Sequence, residues 1–105
     1  MPGREGVIVL MFDLPNETKQ ERHNYADFRK HIKRRGYIMI QKSVYVKYLK
    51  NNNASDAEIA YLDSFAPPAG SVSVLPMRLS GFVKLQNLRG VTFDVDLFSS
   101  EIISL

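Results

Sequence analysis

The chain has 105 residues, 45% of them hydrophobic and 24% charged, which is the core material of one small globular domain. It contains no cysteine, which excludes disulfides, thiolate metal sites and cysteine nucleophiles together and agrees with a reducing cytoplasm. The formal net charge is +3, but it is unevenly placed: from Thr18 to Arg35 seven basic side chains face two acidic ones, a local +5, while the other residues carry seven basic and nine acidic, or −2.

A positive excess confined to one segment suits a polyanionic partner. No apolar run approaches the roughly 20 residues of a membrane span. The opening MPGREG lacks the apolar region of a secretory leader, so the expectation is a cytoplasmic protein with no membrane contact. Small domains often complete their cores by pairing, which makes a homodimer the expected assembly.

In chain order, Val7 to Asp13 (VIVLMFD) runs apolar and uncharged until one carboxylate, as in a strand buried on both faces. Asp13 stands where that strand leaves the core, and Leu14-Pro15-Asn16 then breaks it. Thr18 and Glu21 have capping-box spacing. Tyr25, Phe28 and Ile32 recur at three and four, predicting a helix that Gly36 ends. Arg22, Arg29 and Lys33 form a second stripe about a quarter turn from the apolar one, facing solvent. His23 and His31, eight apart, lack the i, i+4 spacing of a helical zinc site and read as surface residues.

Tyr37 to Leu49 is too long for one strand and reads as two strands joined near Lys42, with Val44, Val46 and Tyr48 on one face and Tyr45 on the other. Asn51 to Asn53 is a turn. Ser55 is expected to cap a short helix carrying Asp56 and Glu58 in its first turn, with Ile59, Leu62 and Phe65 inward and Pro67 to Gly70 ending it. Val72, Val74 and Leu75 to Leu79 predict another strand, at an edge that tolerates Pro76. Ser80-Gly81 is read as a bend, and Phe82 to Leu88 as a last strand or short helix. Residues 91–105 alternate and then end apolar, as a tail used in dimer or partner contacts. The order β, α, β, β, α, β with trailing strands is an α+β, ferredoxin-like plan in a single domain spanning 1–105.

Phe12-Asp13 at a strand end, a basic helix with Arg22, the closing Gly36, and Gln41-x-Ser43-Val44-Tyr45 together resemble the small CRISPR-associated adaptation protein, the second of the two core Cas proteins. Asn51 to Asn53, the Ser55-Asp-Ala-Glu58 helix and Ala66 to Gly70 resemble the form found beside the large RNA-guided effector nuclease. The resemblance implies a homodimer whose late strand or tail pairs with the partner's sheet. It implies a subunit of spacer acquisition that bridges dimers of the integrase, the first core Cas protein, and lies on captured DNA. It also implies an Mg²⁺-dependent endonuclease acting on single-stranded RNA or duplex DNA, with Asp13 as the metal and catalytic residue, arginines near Arg22, and Tyr45 at the motif aromatic. The chain departs from the family pattern in two ways: Gln20 and His23 flank a single Arg22, and Met39 stands where some members have a basic residue.

One carboxylate per chain makes a poor Mg²⁺ site, but a twofold axis that brings two Asp13 together would double it. The competing reading is that Asp13 only caps the turn after it. Arg22, Arg29 and Lys33 are the candidate phosphate contacts, and binding through them is expected to be salt-sensitive and indifferent to base sequence. Phe12 and Tyr45 are either interface and base-stacking aromatics or core packing. Two functions follow: a metal-dependent endonuclease, or a catalytically inactive scaffold of the integration complex.

Overall fold

The computed structural model describes residues 4–90. The elements are β1 (Gly6–Asp13), α1 (Lys19–Arg34), β2 (Ile38–Gln41), β3 (Val44–Leu49), α2 (Ser55–Phe65), β4 (Ser71–Arg78) and α3 (Leu79–Phe82). The four strands form one antiparallel sheet in the order β2-β3-β1-β4. That interleaving of two β-α-β halves is the ferredoxin-like arrangement expected from the sequence. The expected additional C-terminal strands and the 91–105 tail lie outside the described residues.

Strand alternation divides β1 between two cores. Ile8, Leu10 and Phe12 point to the face covered by α1 and α2, where they meet Phe28, Ile32, Tyr45, Leu49 and Leu62. Fully burying a side chain such as Phe28 or Ile32 is worth about 1.5–3 kcal/mol, so this face holds most of the domain's stability. Val7 points the other way and lies with Val46 under Leu79 and Phe82 of α3. Because α3 covers only one end of that face, Met11, Ile38 and Leu75 remain 37%, 46% and 51% exposed. The first half of β1 is therefore buried on both sides as expected, and the second half on one.

The local signals explain most boundaries. The Thr18 hydroxyl accepts from the Glu21 amide at 3.0 Å and the Glu21 carboxylate accepts from the Thr18 amide at 3.0 Å, closing the capping box. Gly36 takes a φ of +95°, a conformation that costs a residue with a Cβ, and turns the chain out of α1. Three expectations need correction. Ser55 does not cap α2: Asn51 accepts from the Asn53 amide at 2.9 Å and starts a single 3-10 turn, Asn52–Ala54, that runs straight into the helix. Ser80-Gly81 is not a bend but the middle of α3, held by Leu79 and Phe82 seated on the sheet. Consequently the last short helix precedes Val83, and residues 84–90 form neither strand nor helix.

Candidate functional site

Asp13 is the last residue of β1, paired with Ser71 of β4. By alternation it shares a face with Val9 and Met11, which is the face α1 and α2 leave open. Its side chain is exposed and makes no hydrogen bond or ion pair to another described residue, so it does not cap the Leu14-to-Asn16 turn. The strand end itself is tightly held. The Phe12 amide donates to the Ser43 carbonyl at 3.1 Å, and Gly70, at φ +86°, lies so close that an added Cβ would stand 2.5 Å from the Asp13 carbonyl oxygen. A fixed backbone thus presents a free carboxylate.

Among the described residues no three His, Asp, Glu or Cys side chains cluster as a metal site. One Asp13 falls short of the oxygen ligands that Mg²⁺ requires, even with several waters retained. The donor set fits a hard cation only if a second carboxylate joins it.

The basic stripe lies on the opposite side of the sheet, and the structure separates its members. Arg22 folds back along the helix start, donating Nη1 to the Glu17 carbonyl at 2.6 Å. Arg29 and Lys33 instead line a shallow, open depression together with His23, Ala26, Asp27 and Lys30. His23, read from the sequence as a surface residue, is thus beside the candidate phosphate contacts. Asp13 is not brought next to the stripe, because β1 presents it to the other face.

Phe12 and Tyr45 belong to the core. Their rings stack with centroids 5.6 Å apart and 18° between planes, and Phe28 meets Phe12 edge-on at 5.1 Å. With Tyr45 1% exposed and Phe12 6%, neither is available to a base or a partner. The Tyr45 hydroxyl does reach the helix edge, where it accepts a hydrogen bond from Arg29 Nε at 3.2 Å. That bond holds the Arg29 pKa above its already high ordinary value.

The role of Glu58 has almost no signal in the sequence. Expected to complement the α2 dipole, it is buried, and its carboxylate accepts from Tyr37 Oη at 2.9 Å, Arg35 Nη2 at 2.9 Å and Lys47 Nζ at 3.1 Å. Burial alone would push this carboxyl up, but the bonds from Tyr37 and Lys47, the Lys47 charge and the Arg35 bond outweigh it and hold the pKa below the ordinary value. Burial and the Glu58 bond push the Tyr37 phenol strongly up. The hub ties α2 to the end of α1 and to β3. No local pattern announces it, because the acceptor and its three donors lie 11 to 23 residues apart.

Comparison with known proteins agrees with this architecture. The family model described as CRISPR associated protein Cas2 matches residues 7–84, from the first core residue of β1 to just past α3. The chain is 41% identical over 83 residues to a CRISPR-associated endoribonuclease Cas2 of Streptococcus mutans serotype c (strain UA159), covering 79% of this chain and 76% of that one. A protein of the same name from Treponema denticola is 37% identical over 83 residues, covering 79% and 82%. One from Ligilactobacillus salivarius is 41% identical over 68 residues, covering 65% and 67%. With the ferredoxin-like sheet and a family match over most of its length, the chain belongs to the CRISPR-associated Cas2 family.

Proposed function

We propose that this chain is a CRISPR-adaptation subunit that works as a homodimer, binds nucleic acid through α1, and cleaves phosphodiesters with a divalent cation held between two Asp13 carboxylates. The observation that carries this reading is the placement of Asp13: free, at a braced strand end, on the sheet face whose Met11, Ile38 and Leu75 are uncovered. A twofold pairing across that face buries those side chains and brings two strand ends toward one axis. The relatives' shared name, endoribonuclease, makes RNA the first substrate to test and duplex DNA the second. Mg²⁺ is the cation that two carboxylates with retained waters suit.

In this reading the Asp13 carboxylate of each protomer would supply oxygen ligands to the cation, and the braced β1 end fixes the backbone that carries each carboxylate. The chemistry a bound cation supplies is positive charge on the attacked phosphate and a more acidic water. Arg29, Lys30 and Lys33, on the helix face opposite Asp13, would hold the polymer by its backbone away from the cleaved bond and give no sequence preference. The integrase, the first core Cas protein, is the expected partner, reached through the 91–105 tail.

A scaffold without chemistry is the second reading, favoured by the lack, among the described residues, of any cluster of three or more His, Cys, Asp or Glu side chains that could hold a metal. The two separate in one experiment: labelled single-stranded RNA and duplex DNA are incubated with Mg²⁺ and either the wild-type protein or Asp13→Ala, purified identically. Cleavage that disappears with the substitution and with chelator supports the enzyme. Cleavage that survives Asp13→Ala, or is absent from the wild type, leaves the scaffold.

A further inference from the structure

We propose that the Tyr45 hydroxyl is a positioning group that holds Arg29 ready to grip a phosphodiester in the shallow depression on α1. The proposal rests on the nucleic-acid-binding reading above and assigns one group within it. Tyr45 is a core residue: its ring is 1% exposed and stacks on Phe12, so a phenylalanine would fill the same space. The hydroxyl accordingly has a role separate from packing. It receives Arg29 Nε at 3.2 Å, while the Arg29 guanidinium also lies 5.9 Å from the Tyr25 ring centroid. Nε is occupied, and the two Nη groups make no hydrogen bond to another described residue.

That is the arrangement that bidentate recognition of a phosphate requires: a planar fork fixed at its base with its outer donors open. An unrestrained arginine would have to surrender its rotamer freedom on binding, whereas one already pinned surrenders less. The depression supplies the rest of the subsite. His23, Lys30 and Lys33 line it with Arg29, beside the small side chain of Ala26. Asp27, which also lines it, lies roughly 160° around the helix from Arg29, which directs a polyanion toward the Arg29 side. Lys33, about one turn on from Arg29, and Lys30, roughly 100° around the helix from it, are placed for neighbouring phosphates. Arg22, turned back onto Glu17, is outside this subsite.

The test uses the full chain and two fluorescein-labelled probes of one sequence, duplex DNA and single-stranded RNA, titrated at several salt concentrations. Tyr45→Phe is expected to keep its unfolding temperature near that of the wild type and to weaken binding of both probes about three- to tenfold, the range that ordering one long side chain is worth. In an Arg29→Ala background Tyr45→Phe should cause no further loss, because its effect passes through Arg29. Unchanged affinity in Tyr45→Phe, an equal loss in both backgrounds, or a loss confined to one polymer overturns the proposal. Should Tyr45→Phe unfold, Arg29→Lys takes its place: it keeps the charge but not the fork, so affinity equal to wild type overturns the assignment and a three- to tenfold loss supports it. Normal binding by Arg22→Ala/Lys33→Ala would instead overturn the broader reading of α1.

Discussion

Glu58 is the side chain whose removal should be felt most widely. Its carboxylate takes three donors from the end of α1 and from β3, Arg35 and Lys47 on one oxygen and Tyr37 on the other, so Glu58→Gln removes the charge and leaves one oxygen's worth of donors without an acceptor. Arg35 is 37% exposed and Lys47 20%, so both can turn toward solvent and the cost should stay near about 2 kcal/mol, below that of a fully enclosed ion pair. Thermal unfolding measures it. The pH dependence has a definite sign. Because the folded-state pKa of Glu58 is depressed, its stabilisation is fully present above the ordinary value of 4.5 and is lost as pH falls below it. Wild type and Glu58→Gln should therefore converge in unfolding temperature on acidification, and a constant gap across that range would refute the hub's electrostatic role. Gly70 is the other sensitive position. Gly70→Ala forces a Cβ into a positive-φ site against the Asp13 carbonyl, and is expected to cost at least about 2 kcal/mol and to lower cleavage by shifting the strand end. Wild-type unfolding and activity in that variant would show that the brace is not needed.

At the level of elements, α1 is both a core helix and the proposed nucleic-acid surface, and the two duties sit on adjacent stripes. Thr18→Ala should open the capping box and remove about 1 kcal/mol, read as a lower unfolding temperature with unchanged nucleic-acid affinity, since Arg29 and Lys33 lie two turns or more from the cap. The helix is legible in the sequence because its signals are local: the Thr18-to-Glu21 spacing, the Tyr25, Phe28, Ile32 stripe and the Gly36 stop all act within a few residues. The α2 start is not, because the Asn51 turn satisfies itself and hands its geometry to Ser55 without needing a side-chain cap there. The α3 segment escapes a sequence reading for a related reason. Leu79-Ser-Gly-Phe82 has poor helix propensity, and its turn exists because Leu79 and Phe82 have Val7 and Val46 to cover.

For the whole molecule the consequential fact is that Asp13 and α1 occupy opposite faces of one sheet. Alternation along β1 determines this, and it is implicit in the sequence once Phe12 is known to be inward. Which face the helices choose is not legible, since Val7, Val9 and Met11 are as apolar as Ile8, Leu10 and Phe12. The same asymmetry leaves Met11, Ile38 and Leu75 uncovered, and these make the open face the proposed seat of a second copy. Leu75→Glu, on the edge strand β4, is expected to shift the protein to monomer by light scattering while leaving the helix-side core intact. A variant that remains dimeric would move the interface elsewhere. Double substitution Arg22→Ala/Lys33→Ala should weaken nucleic-acid binding and flatten its salt dependence, by close to one unit of slope for each phosphate that is no longer neutralised.

Whether two Asp13 carboxylates share one cation across that face is tested most directly by stoichiometry. Mn²⁺ titrated as a paramagnetic stand-in for Mg²⁺, with free ion followed by electron paramagnetic resonance, should show one bound ion per two chains, lost in Asp13→Ala and in monomeric Leu75→Glu. One ion per chain, or binding that persists in either variant, would contradict the shared site and leave Asp13 without the partner carboxylate on which the proposed chemistry depends.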